Sequence, residues 1–326
     1  MADRPTAPPL IDASDVAAAA DRVSGRIRPV TLAPADPGSA GTEGAHVTFS
    51  LEYLQHTGSF KARGAANLAA AHQQAGTLPE AGVAIASGGN AGLACAWAAR
   101  ATGTRATVFV PLTAPAVKVA KLRGYGADVR QVGSEYADAL AASRTFAAES
   151  GALLSHAYDN PLIAAGAGTL ATEILAASPR KVDTIVVAVG GGGLFAGVAA
   201  AVSGTGIRTV AVEPENCRAL NAAVAAAGPA DVPVESVAAD ALGARRASQM
   251  AYELARSEHV SSVLVSDAAI VEARRHLWEN HHIVVELGGA TAWAALRSGA
   301  YKPEEGEHVV VVLCGANTDP ADLVNR

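Results

Sequence analysis

TIVVAVGGGGLFAGVAAAV (184–202) is the stretch on which the reading of the whole chain turns. TIVVAV (184–189) has the unbroken hydrophobicity of a strand buried on both faces. Gly190, Gly191, Gly192 and Gly193 follow, and from Leu194 to Val202 the sequence is small, apolar and helix-like. The uncharged segment extends from Thr184 to Ile207 and is long enough to cross a bilayer. Four adjacent glycines inside it argue instead for a strand, a tight turn and a helix.

Outward from this unit the same alternation recurs. VAIAS (83–87) leads into a helix-like run from Ala91, ATVFV (106–110) into one near Ala114, and DVRQV (128–132) into one from Ser134. On the other side come IRTVAV (207–212) and a helix from Asn216, then SSVLVS (261–266) and a helix from Asp267, and finally HVVVVL (308–313). Apolar strands separated by helices predict α/β architecture with parallel sheets covered on both faces. So many units fit two open twisted α/β domains better than one sheet. The lead-in to about Gly44 is rich in proline and glycine and carries no such signal.

Composition bounds the function. Half of the 326 residues are apolar and 17% are charged, which excludes a disordered chain. Aromatics make up 4% and the net charge is -6, so neither a stacking surface for nucleic acid nor a basic field for anionic lipid is present. Cys95, Cys217 and Cys314 have no metal or disulfide spacing. The start, MADRPTAPPLIDASD, lacks the apolar core of a secretory signal, so a cytoplasmic protein is expected.

In folds of this kind chemistry gathers at the carboxyl ends of strands. Three loops fall there: SGGNAG (87–92), GGGGL (190–194) and CGAN (314–317). GGGGL, leading into a helix, offers backbone N–H groups to a phosphate. Gly191, Gly193 and Ala196 also fit G-x-G-x-x-A, and Glu213 stands where a ribose-binding acid belongs. A nicotinamide-dependent oxidoreductase is therefore a rival reading. Lys61, in GSFKARG beside Phe60, favours a different cofactor. An amine together with a phosphate seat is what pyridoxal phosphate requires, and a dehydrogenase has no need of the amine. The plainer reading of Lys61 alone is a surface lysine. SGGNAG suits a substrate carboxylate through Ser87 and the helix start, or is simply a capped turn. Cys314 follows a strand and reads as buried. His276, His281 and His282 near Glu279 form a weak metal pattern, read in preference as a solvated helix end.

In this order the elements resemble the fold-type II pyridoxal-phosphate enzymes, and among them the serine/threonine dehydratases. The matching stretches are TGSFKARGA, SGGNAGLACAWAAR (87–100), VPLTAPAVKVAKLRGYGADV (110–129) and DNPLIAAGAGTLATEI (159–174). They continue with VGGGGLFAGV (189–198), VEP (212–214), ALGARRA (241–247), VELGGA (285–290) and VVLCGAN (311–317). The resemblance runs from about Arg28 nearly to the end. It implies a large domain of residues 1–62 and 158–326, a small inserted domain of residues 63–157, and the cofactor in the cleft between them.

The resemblance also implies roles. Lys61 would bond the cofactor aldehyde, with Phe60 and Ala241 on the two faces of its ring. Gly190, Gly191, Gly192, Gly193 and Leu194 would hold the phosphate, Asn90 the ring hydroxyl and Cys314 the ring nitrogen. Ser87, Gly88, Gly89 and Asn90 would hold the substrate carboxylate. Gly190, Glu213, Cys217, Leu242 and Ala244 would match a monovalent cation site, with K+ the better guess. Family racemases carry a serine where this chain has Gly88, and some carry an acidic metal ligand where it has Ala219. Elimination is accordingly expected over racemisation: L-serine or L-threonine to a 2-oxo acid and ammonia. β-Replacement or lyase action on another β-substituted amino acid is the alternative with the same cofactor, and a cofactor-binding but inactive module is a third. A homodimer without nucleic-acid or membrane partners is the family expectation, as is a chain too short beyond CGAN for an appended regulatory domain.

Overall fold

The computed structural model describes residues 10–39, 41 and 44–324, so residues 1–9 of the leader read above lie outside them. In chain order, α1 (Ala13–Val23), β1 (Leu32–Pro34) and β2 (His46–Ser50) are followed by two 3-10 turns, Glu52–Leu54 and His56–Gly58, and by α2 (Lys61–Gln74). Next come β3 (Val83–Ala86), α3 (Asn90–Ala101), β4 (Ala106–Val110), α4 (Ala116–Gly124), β5 (Asp128–Gln131), α5 (Tyr136–Ser150) and β6 (Leu153–Leu154). The second half holds α6 (Pro161–Ala177), β7 (Thr184–Ala188), α7 (Gly193–Ala201), β8 (Arg208–Pro214), α8 (Ala219–Ala225), α9 (Ala239–Leu242) and α10 (Gln249–Ala255). It closes with β9 (Val260–Val265), α11 (Asp267–His281), α12 (Leu287–Arg297), β10 (His308–Val312) and α13 (Ala321–Val324).

The strands form two sheets, one of six strands in the order β1-β2-β10-β7-β8-β9 and one of four in the order β5-β4-β3-β6. Every pairing is parallel except β1 with β2, an antiparallel edge that the sequence pattern did not announce. β7 and β10 are buried at every position, and so are β3 and β4 in the smaller sheet. That is the cause of their unbroken apolar sequences: helices cover both faces, so no residue alternates toward water. The main core is built on β7, β8 and β10 with α6, α7 and α12, and Trp293 and Phe195 are among its largest fully buried apolar side chains.

The lead-in is more ordered than its composition predicts. Asp12 caps α1 by accepting from the backbone of Ser14 and Asp15, and the Asp15 carboxylate accepts from the Asp12 backbone in return. Val16, Ala19 and Val23 then lie on one face, and α1 packs against α6 and α7. Helix α2 touches both α3 and α6, so the start of the Lys61 helix is held from both sheets. The glycine loops follow β3, β7 and β10 as read from sequence, at strand carboxyl ends.

Candidate active site

Lys61 is the first residue of α2, preceded by Phe60 without a side-chain cap. Its amine donates to the Ala157 carbonyl at 2.6 Å and lies 4.9 Å from the centre of the Phe60 ring. Burial disfavours the ammonium form and brings the pKa from 10.5 to about 8, while Cys314 and Glu286 oppose the shift. The amine thus gives up its proton far more readily than a surface lysine does. Ser59 is fully buried two positions earlier, and its hydroxyl has no partner among the described residues.

The glycine turn packs against Tyr158, the residue after the carbonyl that holds this amine. Gly192 has φ +95°, a conformation that favours glycine, and no side chain caps α7 behind it. A Cβ at Gly191 would lie 2.4 Å from the Tyr158 ring, one at Gly193 3.0 Å from the Tyr158 backbone, and one at Gly192 2.3 Å from the Ala251 methyl. Packing therefore demands glycine here as firmly as anion binding does. Tyr158 donates to the Arg246 carbonyl at 3.1 Å, and burial raises its phenol to about 12. It is one residue from the carbonyl that holds Lys61.

The third loop supplies Ser87, Gly88, Gly89 and Asn90. Ser87 Oγ accepts from Gly89 N at 3.3 Å, and Gly89 precedes α3 as its N-cap, with no side chain capping the helix. Asn90 Nδ2 donates to Glu286 Oε1 at 2.7 Å, and Asn90 Oδ1 accepts from Asn317 Nδ2 at 2.6 Å. Glu286 is 9% exposed; burial raises its pKa, partly offset by the bonds from Asn90 and from the Asn317 backbone. Glu286 and Asn317 were missed as individual residues, although VELGGA and CGAN contain them. No sequence feature distinguishes this buried acid from a solvated helix cap.

Cys314 is 4% exposed, and its thiol points toward the Gly288 carbonyl at 3.7 Å. Burial and the nearby Glu286 push its pKa up to about 12, so it is a neutral thiol. A Cβ at Gly288 would lie 2.6 Å from the Ala241 methyl, which puts Ala241 on the same wall as Cys314. Gly190 abuts Leu242, whose carbonyl accepts from the Cys217 thiol at 3.1 Å and from Ala244 N at 2.9 Å. Lys61, Asn90, Glu286 and Cys314 therefore share one neighbourhood, and Tyr158 links the glycine turn to it.

Glu213 behaves differently from the ribose-binding acid of the dinucleotide reading. It is fully buried, and its two oxygens accept from Leu220 N and Asn221 N, both at 2.7 Å. Its carboxylate caps α8 and, being fully buried, lies out of reach of a ribose. Burial raises its pKa to about 7.

The histidine cluster also departs from expectation. His281 contributes a side chain only 7% exposed, its ring 5.1 Å from Phe49 and 5.6 Å from His276. His276 and His281 pack against Trp293 of α12 instead of forming a solvated end, and burial lowers both pKa values. His282 ends α11 in a left-handed conformation. Among the described residues no cluster of three or more histidine, cysteine or acidic side chains could hold a metal ion.

A family profile described as "Pyridoxal-phosphate dependent enzyme" matches residues 23–315. The chain belongs to that family. It is 34% identical to an L-threonine ammonia-lyase of Geobacter sulfurreducens over 85% of this chain and 68% of that one. Its fold superposes on maize serine racemase with a TM-score of 0.88 at 29% identity, covering 97% of this chain and 96% of the other. For a threonine deaminase from T.th. the TM-score is 0.85 at 31% identity, covering 94% and 99%. The fold is accordingly that of fold-type II enzymes, and pyridoxal phosphate is the cofactor. The residues present fit it: a half-buried amine that deprotonates readily, an uncapped helix start at the glycine turn, and the orphaned Ser59 hydroxyl two residues before Lys61.

Proposed function

We propose that this chain removes water from L-serine or L-threonine, yielding a 2-oxo acid and ammonia. The observation that carries the reading is the half-buried Lys61 amine, held by the Ala157 carbonyl and shifted to a pKa of about 8. The names of the relatives, L-threonine ammonia-lyase and threonine deaminase, support the same chemistry. Lys61, Phe60, Asn90, Gly190 to Gly193, Leu194, Ala241 and Cys314 are proposed to hold the cofactor, and Ser87 to Asn90 the substrate carboxylate. The division into residues 1–62 with 158–326 and residues 63–157 belongs to the same reading.

When bound, the cofactor supplies an aldehyde for the substrate amine and a ring that draws electrons from the α-carbon. Lys61, with its amine free, would take the α-proton as general base, for which a pKa near working pH is suited. The Ser87 hydroxyl and the backbone N–H groups at the start of α3 bind the carboxylate and orient the α-hydrogen toward Lys61. Cys314, a neutral thiol, would offer the ring nitrogen no negative charge and would leave the ring a milder electron sink. The Cβ–O bond would then break, and the hydroxyl would depart as water, taking the proton that Lys61 removed from the α-carbon. The enamine product then tautomerises and hydrolyses, releasing ammonia.

Glu213 with carbonyls of Gly190, Cys217, Leu242 and Ala244 is proposed to take a monovalent cation such as K+. A homodimer rests on the family alone. The three free cysteines are all buried and unpaired, which supports a reducing compartment and hence the cytoplasm. No helix among the described residues is long and apolar enough to cross a membrane.

The fold of maize serine racemase favours a second reading, racemisation. Gly88 speaks against it, because hydrogen cannot return a proton to the second face of the substrate. The deciding experiment incubates wild type and Lys61→Ala with cofactor and a panel of hydroxy-amino acids, then assays visible absorbance, 2-oxo acid, ammonia and D-isomer. Visible absorbance with ammonia release in wild type, and neither in Lys61→Ala, is expected. Wild type that binds cofactor without releasing ammonia overturns the proposal.

A further inference from the structure

One set of side chains near the cleft is not absorbed by the mechanism above. Lys121 on α4 donates to Asn317 Oδ1. Asn317 Nδ2 donates to Asn90 Oδ1 at 2.6 Å and to the Thr57 carbonyl at 2.7 Å. Asn90 Nδ2 donates to Glu286 Oε1 at 2.7 Å, and Glu286 Oε2 accepts from the Asn317 backbone at 3.1 Å. The bonds link α3 and α4, beside the four-stranded sheet, to the start of α12 and the loop after β10, beside the six-stranded one.

The direction of every bond is forced. Lysine has only donors, so Asn317 must turn its oxygen toward Lys121. The Thr57 carbonyl has only acceptors, so the Asn317 NH2 must face the other way. Asn317 then presents N–H to Asn90, which must answer with oxygen and send its own NH2 to Glu286. An ionised carboxylate has only acceptors, so the far end agrees with the near one. Thr57 adds an independent sign of constraint: it is a β-branched residue held at φ +62°, a strained conformation that persists only where its surroundings require it. That conformation aims its carbonyl at Asn317.

We infer that Lys121, Asn317 and Glu286 are positioning residues that fix the amide orientation of Asn90, so that its second Nδ2 hydrogen faces the cofactor. The inference rests on the proposed seat of the cofactor beside Asn90 and deepens it. Asn90 has two N–H groups, and Glu286 uses one of them. A reversed amide would turn an oxygen toward the cofactor's ring oxygen, replacing attraction with repulsion.

Glu286→Gln is the informative change. It keeps the volume but leaves one acceptor oxygen for two donors, so either Asn90 or the Asn317 backbone meets an N–H. With holoenzyme, the cofactor dissociation constant and the pH titration of its visible absorbance are measured for wild type, Glu286→Gln, Asn90→Ala and the double variant. Glu286→Gln should weaken cofactor binding about tenfold, the size of one charge-assisted hydrogen bond, and shift the titration midpoint. Asn90→Ala should do the same, and adding Glu286→Gln to it should change little further. Lys121→Met, at the exposed end of the chain, should shift both measurements in the same direction by less. An effect of Glu286→Gln that persists in full without Asn90 overturns the inference, because Glu286 would then act directly on Lys61. Unmoved binding in both Glu286→Gln and Lys121→Met overturns it as well. Wild type without visible absorbance overturns the cofactor seat itself, and the inference with it.

Discussion

The Lys61 amine donates to the Ala157 carbonyl at 2.6 Å, joining the start of α2 to the segment between β6 and α6. This bond does not offset the loss of water around the charge, and the pKa falls from 10.5 to about 8. In the cofactor-free protein the folded state therefore sheds this proton at lower pH than the unfolded chain. Between pH 8 and 10.5 the unfolded state binds more protons, so stability rises with pH across that window. Below it the buried cation costs about 3 kcal/mol. Cofactor-free Lys61→Met should be more stable than wild type at pH 7 by about that amount, with the gap closing toward pH 10.5. Denaturant midpoints measured across the range check it, and a gap independent of pH contradicts it.

Arg63, two residues further on, is fully buried and reaches two carboxylates. It meets Glu52 through two bonds of 2.7 Å and Glu173 at 2.8 Å, with Thr169 at 3.2 Å. Its ionised form is favoured by these partners despite burial. Arg63→Met leaves the Glu52 carboxylate buried without its partner, and removing one member of such a pair costs about 3–5 kcal/mol. Urea denaturation should show a loss of that order, and Arg63→Met with Glu52→Gln should recover part of it. A loss below about 1 kcal/mol, typical of exposed pairs, would contradict this account.

Cys314 is held as a neutral thiol by burial and by Glu286, with a pKa pushed up to about 12. Cys314→Asp places a second acid beside Glu286, and the pair must share a proton at neutral pH. On the proposed assignment the ring nitrogen then gains an acidic partner, and a larger share of turnovers should end in amino transfer to the cofactor. The ratio of 2-oxo acid formed to enzyme inactivated measures this share, expected to fall several-fold. An unchanged ratio removes Cys314 from the ring nitrogen.

The legible parts of the chain are those where one local stretch determines the outcome. β3, β4, β7 and β10 lie between helix layers, so their sequences are apolar throughout and could be read directly. Lys61, the glycine turn and Cys314 were legible because each sits at a strand or helix end that the pattern had already located. β6 was not, being two residues long, and α1 was hidden because much of it is alanine. Glu286 escaped for another reason: its bond to Asn90 spans 196 positions. Burial of a carboxylate depends on what folds over it, and no local pattern carries that. The packing of His281 against Phe49 escaped likewise.

Gly88 gives the sharpest test of the choice between elimination and racemisation. Its backbone does not have a positive φ, and a Cβ there would lie 3.5 Å from the nearest atom, Val110 Cγ1, an ordinary contact. Steric exclusion therefore does not explain the glycine, and Gly88→Ser should fold with stability within about 0.5 kcal/mol of wild type. Its hydroxyl enters the loop proposed to hold the substrate carboxylate, at the position where the resemblance implies a serine in racemases. With L-serine as substrate, Gly88→Ser should form D-serine at a rate measurable by chiral chromatography while 2-oxo acid formation falls. Folded Gly88→Ser that forms no D-isomer would show that a hydroxyl at this position does not suffice, and that the second face is closed by some other wall of the cleft.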